Sequence, residues 1–205
     1  MKSYLLFIGL LFSVSMQAYY SISPYAWCGN NPVRFVDPDG KKVFFAEGVS
    51  NTFKEDFRLS VKYMNEKKIS KMLYRLNKSK KVYYIAEGKP LDISKYNTKT
   101  RTITWSSRTG IITETLYEMA PVEVLNHEID HALQHDLHPA EQKEDGKTED
   151  EAYGNKEEKR VIEGSEQETA RKIGKIKDDE VTRTNHNGSP YETVSPISNE
   201  DENSI

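Results

Sequence analysis

Residues 121–135 read PVEVLNHEIDHALQH, and four of the chain's five histidines fall between His127 and His138. Within this stretch His127-Glu128-Ile129-Asp130-His131 has the form His-Glu-x-x-His. Pro121 suits a first helical turn, where its missing N–H goes unused. Val124, Leu125, Ile129, Ala132 and Leu133 recur at helical spacings, so the stretch predicts a helix. On that helix His127 and His131 lie about 40° and about 6 Å apart, neighbours on one face. Two imidazoles so placed can coordinate one Zn²⁺, and Glu128 beside the first can hold and deprotonate a metal-bound water. The bland alternative is a polar stripe on a helix. Asp130 reads either as an outer group of such a site or as a solvent-facing residue.

Zinc bound in this way needs a third protein ligand and one position open to water. His135 continues the series but lies about 12 Å along the axis from His127, too far to share an ion in an unbroken helix. His138 does not fit the metzincin spacing, which wants Gly at 134 and His at 137, where Gln134 and Leu137 stand. Both read as surface histidines near a helix C-terminus. The other source is a carboxylate on a second helix within 156–174, KEEKRVIEGSEQETARKIG. With Glu158 as reference, Val161, Ile162, Ser165, Thr169 and Ile173 project within about 60° on a helical wheel. Glu158 therefore sits in an apolar stripe, with Glu157 and Glu163 off it. A carboxylate there needs a partner, because burying it unpaired is costly. Glu166, about 80° round the same wheel, is the rival ligand. A frayed helix start would instead leave Glu158 exposed.

The 205 residues suggest one domain with appendages; 36% are apolar and 30% charged, and the net charge is −3. That balance argues against nucleic acid as a partner, and the clusters NEKKISK and KSKK read as solvated helix ends. Residues 1–18 have a basic start at Lys2, an apolar run from Leu5 to Val14, then small residues. This is the layout of a signal peptide, cleaved after Ser15 or Ala18, and implies a secreted or periplasmic protein without stable membrane insertion. Cys28 is the single cysteine, so no internal disulfide framework is expected. From Lys41 onward the pattern is α+β. KKVFFA and KVYYIAEG read as strands, and helices are expected over FKEDFRLSVKYMNEKK, residues 53–68, capped by Asn51 or Thr52, and over ISKMLYRLNK. TITW and IITE, separated by a Gly-containing turn, predict a hairpin. TITW would be an edge strand beside the His-Glu-x-x-His helix, able to align an extended peptide by backbone pairing. Residues 139–156 carry almost no apolar side chains and read as a mobile loop. The stretch 187–205 reads as a disordered tail.

Two resemblances add to this. YSISPYAWCGNNPVRFVDPDG, at about residues 19–40, closely resembles the end of the Rhs repeat-associated core. Pro32, Asp37, Pro38 and Gly40 match the spacing of its terminal junction. The resemblance implies that a variable toxin domain follows. HEIDH, then EEKRVIEG, then RTNH is similar to the order His-Glu-x-x-His, Glu-Glu-x-x-Thr-x-Gly, Arg-x-x-Tyr. That order belongs to a gluzincin group containing the clostridial neurotoxin light chains, bacterial effector metallopeptidases and toxin domains fused to Rhs cores. It implies a zincin-like fold over 41–186, with Glu158 as the third zinc ligand and Glu157 as an outer group. Arg183 and His186 would stabilise the oxyanion, His186 standing where the group has Tyr. The expected function is a secreted zinc metalloendopeptidase toxin that hydrolyses a protein or peptide substrate and has a cognate immunity protein. The alternatives are a non-catalytic zincin-like binding or delivery module and a nuclease toxin.

Overall fold

The indole N–H of Trp105 donates to the backbone oxygen of Pro121 over 2.9 Å, both groups buried. This bond ties the end of a strand to the start of the helix that carries the His-Glu-x-x-His sequence. A computed structural model describes residues 42–198. The leader-like stretch 1–18, the Rhs-like stretch 19–40 and the last residues of the chain lie outside the described residues.

The described chain is mixed α+β. Strand β1 (Val43–Phe45) is followed by helices α1 (Asn51–Glu66) and α2 (Lys71–Leu76), then by β2 (Tyr83–Glu87), β3 (Lys95–Asn97) and β4 (Thr102–Trp105). These strands form one sheet in the order β1-β2-β4-β3. β1, β2 and β4 run parallel, and β3 is antiparallel to β4. Ser50 caps α1, its hydroxyl accepting from the Phe53 N–H at 3.0 Å. The cap thus stands one residue before Asn51, the first of the two expected. Phe45 packs edge-on against Phe53 and Phe57, and these two in turn pack tilted or edge-on against Trp105. That cluster joins α1 to the sheet.

The expected hairpin between TITW and IITE does not form. β4 belongs to the first sheet. β5 (Thr109–Thr113) belongs to a second, antiparallel sheet, between β6 (Glu118–Met119) and β9 (Gly188–Glu192). The residues between β4 and β5 are held elsewhere, which redirects the chain. The Ser106 N–H donates to Ser94 Oγ, while Ser107 and Arg108 both bond the buried carboxylate of Asp56 on α1. As a result TITW is an inner strand, paired on both sides, and the edge beside it is β3.

Helix α3 (Pro121–Leu137) runs through the middle, and every residue from Pro121 to Leu133 is buried. Val122, Leu125, Ile129 and Ala132 join the core formed with Ile85, Ile103 and Trp105. Its N-cap is Ala120, which has no side-chain acceptor. Glu123 reaches back to the Ala120 N–H at 2.9 Å, and its charge suits the positive end of the helix. The Val122 N–H, another unpaired donor of the first turn, is taken by the Pro196 carbonyl at 2.8 Å.

Two low-apolar segments are ordered where the sequence suggested otherwise. Residues 139–156 hold α4 (Pro139–Asp145) and a small hairpin of β7 (Glu149–Asp150) and β8 (Gly154–Asn155). Asp150 bends the hairpin by accepting the N–H groups of Ala152 and Tyr153. The expected disordered tail is corrected over 188–198. β9 pairs along β5, and Ile197 packs against the core. Neither segment needs much apolar surface, because backbone hydrogen bonding to existing edges and helix ends holds it.

The chain then enters α5 (Lys156–Val161), passes through a π-helical turn at Ile162–Glu166 and continues as α6 (Gln167–Lys172). Asn155 caps α5, accepting the Glu158 N–H at 3.0 Å. A π turn holds one residue more than an α turn. Glu158 and Glu166, eight apart in sequence, are therefore placed as if seven apart, about 20° round the axis instead of about 80°. Among the described residues, no helix is long and apolar enough to cross a membrane.

Candidate metal centre

Three donor atoms converge between α3 and α5. The Nε2 atoms of His127 and His131 lie 3.2 Å apart. One carboxylate oxygen of Glu158 lies 3.3 Å from each of them. Four ligands about 2.0 Å from a tetrahedral zinc ion are about 3.3 Å from one another. The triangle made by His127, His131 and Glu158 is thus one face of such a tetrahedron. The donor set, two imidazoles and one carboxylate, is also one that zinc takes when it keeps a position open. The group can hold a metal ion.

Each ring is oriented from behind by a second carboxylate. The Nδ1 of His127 meets Glu166 at 3.0 Å, and the Nδ1 of His131 meets Glu157 at 3.0 Å. Both carboxylates are anchored in turn. Glu166 receives Arg183 through Nε at 2.9 Å and Nη2 at 2.6 Å, and Thr182 Oγ1 at 2.7 Å. Glu157 receives Nε and Nη2 of Arg160, whose Nη1 reaches Asp130 at 3.0 Å. Carboxylate partners of this kind fix which ring nitrogen faces the ion and raise its basicity.

Charge follows from this packing. Burial alone would lower both imidazoles. Hydrogen bonds to Glu158 and Glu166 lift His127 to about 8 nonetheless, and those to Glu157 and Glu158 lift His131 to about 10. Burial would raise the carboxylates, but the two rings hold Glu158 far below the usual range, and His127 with Arg183 holds Glu166 at about 2. Glu128 behaves differently. It is buried, and burial raises its carboxyl group above the ordinary value even though it accepts a hydrogen bond from the backbone of Tyr96. A carboxylate that takes up a proton more readily than usual is what a proton carrier requires.

These residues open on a cleft of about 340 Å³. One wall is β3 with its approach, residues 93–96, and the floor is His127, Glu128 and His131. Ile111, Met119 and Val124 add an apolar side. The Nε2 of His186 lies at the rim, 3.4 Å from Glu158, and its side chain is about half exposed.

The sequence-expected residues are thus brought together. His127, His131 and Glu158 form the donor triangle, and Glu128 and His186 face the same cleft. Glu166, the rival ligand, stands behind His127 and offers no oxygen to the triangle. Glu157, expected off the buried stripe, is buried. Arg183 also lines the cleft; it is 4% exposed and donates through two nitrogens to Glu166. His135 bonds the Tyr96 hydroxyl at 2.6 Å, and His138 is exposed. The link from Asp130 through Arg160 to Glu157 was not read from sequence. The polar Asp130 inside an apolar helix was its one visible sign. No protein-family model, curated protein or solved structure matches the chain.

Proposed function

We propose that this chain is a zinc-dependent metallopeptidase, with His127, His131 and Glu158 as the zinc ligands. The observation that carries the reading is the near-equal spacing of their three donor atoms, 3.2–3.3 Å, at the floor of a cleft. When bound, zinc would supply a Lewis acid for water and for the scissile carbonyl. Glu128 accepts the proton of the attacking water and passes it to the leaving amine. His186 donates from its imidazole to the oxygen on which charge develops. β3, the outer strand of its sheet, offers its backbone to an extended peptide lying along the cleft. Arg183 acts through Glu166 and His127.

The secreted, toxin-associated setting, with a protein or peptide as target and an immunity protein as partner, rests on the two stretches before residue 41. The cleft supports peptide hydrolysis over nucleic acid cleavage, because its walls are apolar and carboxylate-rich. The test pairs zinc content with digestion of a peptide library by wild type and Glu128→Gln. Cleavage lost with zinc retained supports the reading. Zinc bound without any cleavage by wild type makes the chain a binding module, and absence of zinc ends the proposal.

A further inference from the structure

Glu128 and His135 stand seven residues apart on α3. Two helical turns bring them to one face, about 20° apart in direction and about 10.5 Å apart along the axis. His135 is thus too far along to join the donor triangle, yet it lies on the side of the helix that meets β3. Tyr96, the middle residue of β3, touches both. Its hydroxyl lies 2.6 Å from the Nδ1 of His135, and its backbone donates to the carboxylate of Glu128.

The sheet register leaves that backbone N–H available. The N–H groups of Tyr84 and Gly88 bond the carbonyls of Arg101 and Trp105. In this parallel pairing the main-chain groups of Ile103 also point to β2, and those of Thr102 and Thr104 point to β3. Thr102 and Thr104 pair with Asn97 and Lys95, so Tyr96, opposite Ile103, turns its N–H to the open edge. The strand is three residues long, and Lys95 and Asn97 are exposed. The far end of α3 is braced beside the contact. Asp136 accepts from Ser79 Oγ at 2.7 Å and from the Tyr83 hydroxyl at 3.1 Å, and the Tyr83 ring lies 6.4 Å from that of Tyr96.

We propose that Tyr96 is a positioning residue for Glu128, and that His135 holds Tyr96 in place. The contact between hydroxyl and imidazole sets how far β3 stands from α3. The Tyr96 N–H then removes rotamer freedom from Glu128 and keeps its carboxylate aimed into the cleft. The catalytic consequence rests on the metallopeptidase reading; the contacts themselves do not.

The test combines amide hydrogen exchange at residue 96 of the full chain, read by NMR, with metal analysis and peptide cleavage. In wild type this edge amide should exchange at least tenfold more slowly than an exposed backbone amide, and Glu128→Ala should remove the protection. Tyr96→Phe and His135→Leu should each lose at least fivefold in kcat, with KM within twofold and zinc still at one per chain. His135→Asn, whose side-chain amide can meet the Tyr96 hydroxyl in place of the ring nitrogen, should restore most of the kcat. A freely exchanging amide in wild type, protection unchanged by Glu128→Ala, a loss confined to KM, unchanged kcat, or no rescue by His135→Asn would each overturn it. A wild type that cleaves no peptide would end the peptidase reading instead, and the exchange at residue 96 would then decide alone whether Tyr96 holds Glu128.

Discussion

The carboxylate of Glu166 meets the Nδ1 of His127 at 3.0 Å, across 39 residues of sequence. The Nε2 of the same ring meets Glu158. One imidazole is thus gripped by two acids of a single helical rod, and only one of them faces the centre of the donor triangle. This arrangement makes the two carboxylates separable by experiment.

Glu158→Ala should abolish stoichiometric zinc binding. Glu166→Gln should retain zinc with affinity lowered by about 10–100-fold, the usual cost of losing a partner that orients a ligand. Metal analysis after dialysis against graded chelator measures both. Equal loss in the two variants would make Glu166 a ligand.

Arg183 should behave as a positioning residue. Arg183→Met leaves Glu166 buried with one cationic partner fewer, so zinc affinity should fall together with activity. Arg183→Lys should restore part of each. A variant with full zinc affinity and reduced kcat would instead place Arg183 at the reacting atoms.

Zinc affinity should rise with pH. His131 is raised to about 10 and His127 to about 8, so near neutral pH both rings carry a proton that zinc must displace. Each displaced proton makes apparent affinity rise up to about tenfold per pH unit, until the ring's own value is passed. Competition titrations between pH 6 and 8 should show this slope. A flat profile would mean the ion is held elsewhere.

Ending the chain after Asn187 should destabilise it. β5 would lose the whole of its pairing with β9, and the first turn of α3 would lose the carbonyl that takes the Val122 N–H. The thermal midpoint should fall by roughly 5–10 °C. An unchanged midpoint would show that the tail adds nothing.

Arg160→Met should also destabilise. It leaves Glu157 and Asp130 buried without their shared cation. The loss should be on the order of 2–3 kcal/mol in urea unfolding, below that of a fully buried pair because the Arg160 side chain keeps 30% of its exposure.

Much of the site was legible before any coordinates. The pairing of His127 with His131 follows from the four-residue helical spacing, and Glu128 from its place beside them. The α+β pattern, the strands around Val43 and Tyr83 and the helix from Pro121 follow from hydrophobic periodicity. These are local properties, set by backbone geometry within a turn or two. The roles of Glu158, Glu166 and Arg183 are not local. A wheel of constant pitch misplaces Glu166, because the π turn at 162–166 adds a residue that no periodicity announces. TITW reads equally well as an edge or an inner strand until its neighbours are known, since alternation reports one buried face and says nothing of who pairs at the sides. The tail's order is invisible to composition for the same reason: β9 is held by hydrogen bonds to an edge that exists only once the rest has folded. Sequence therefore determined which side chains share a helix face. Tertiary structure alone decided which carboxylate meets which ring, because that depends on the rotation of one helix against another.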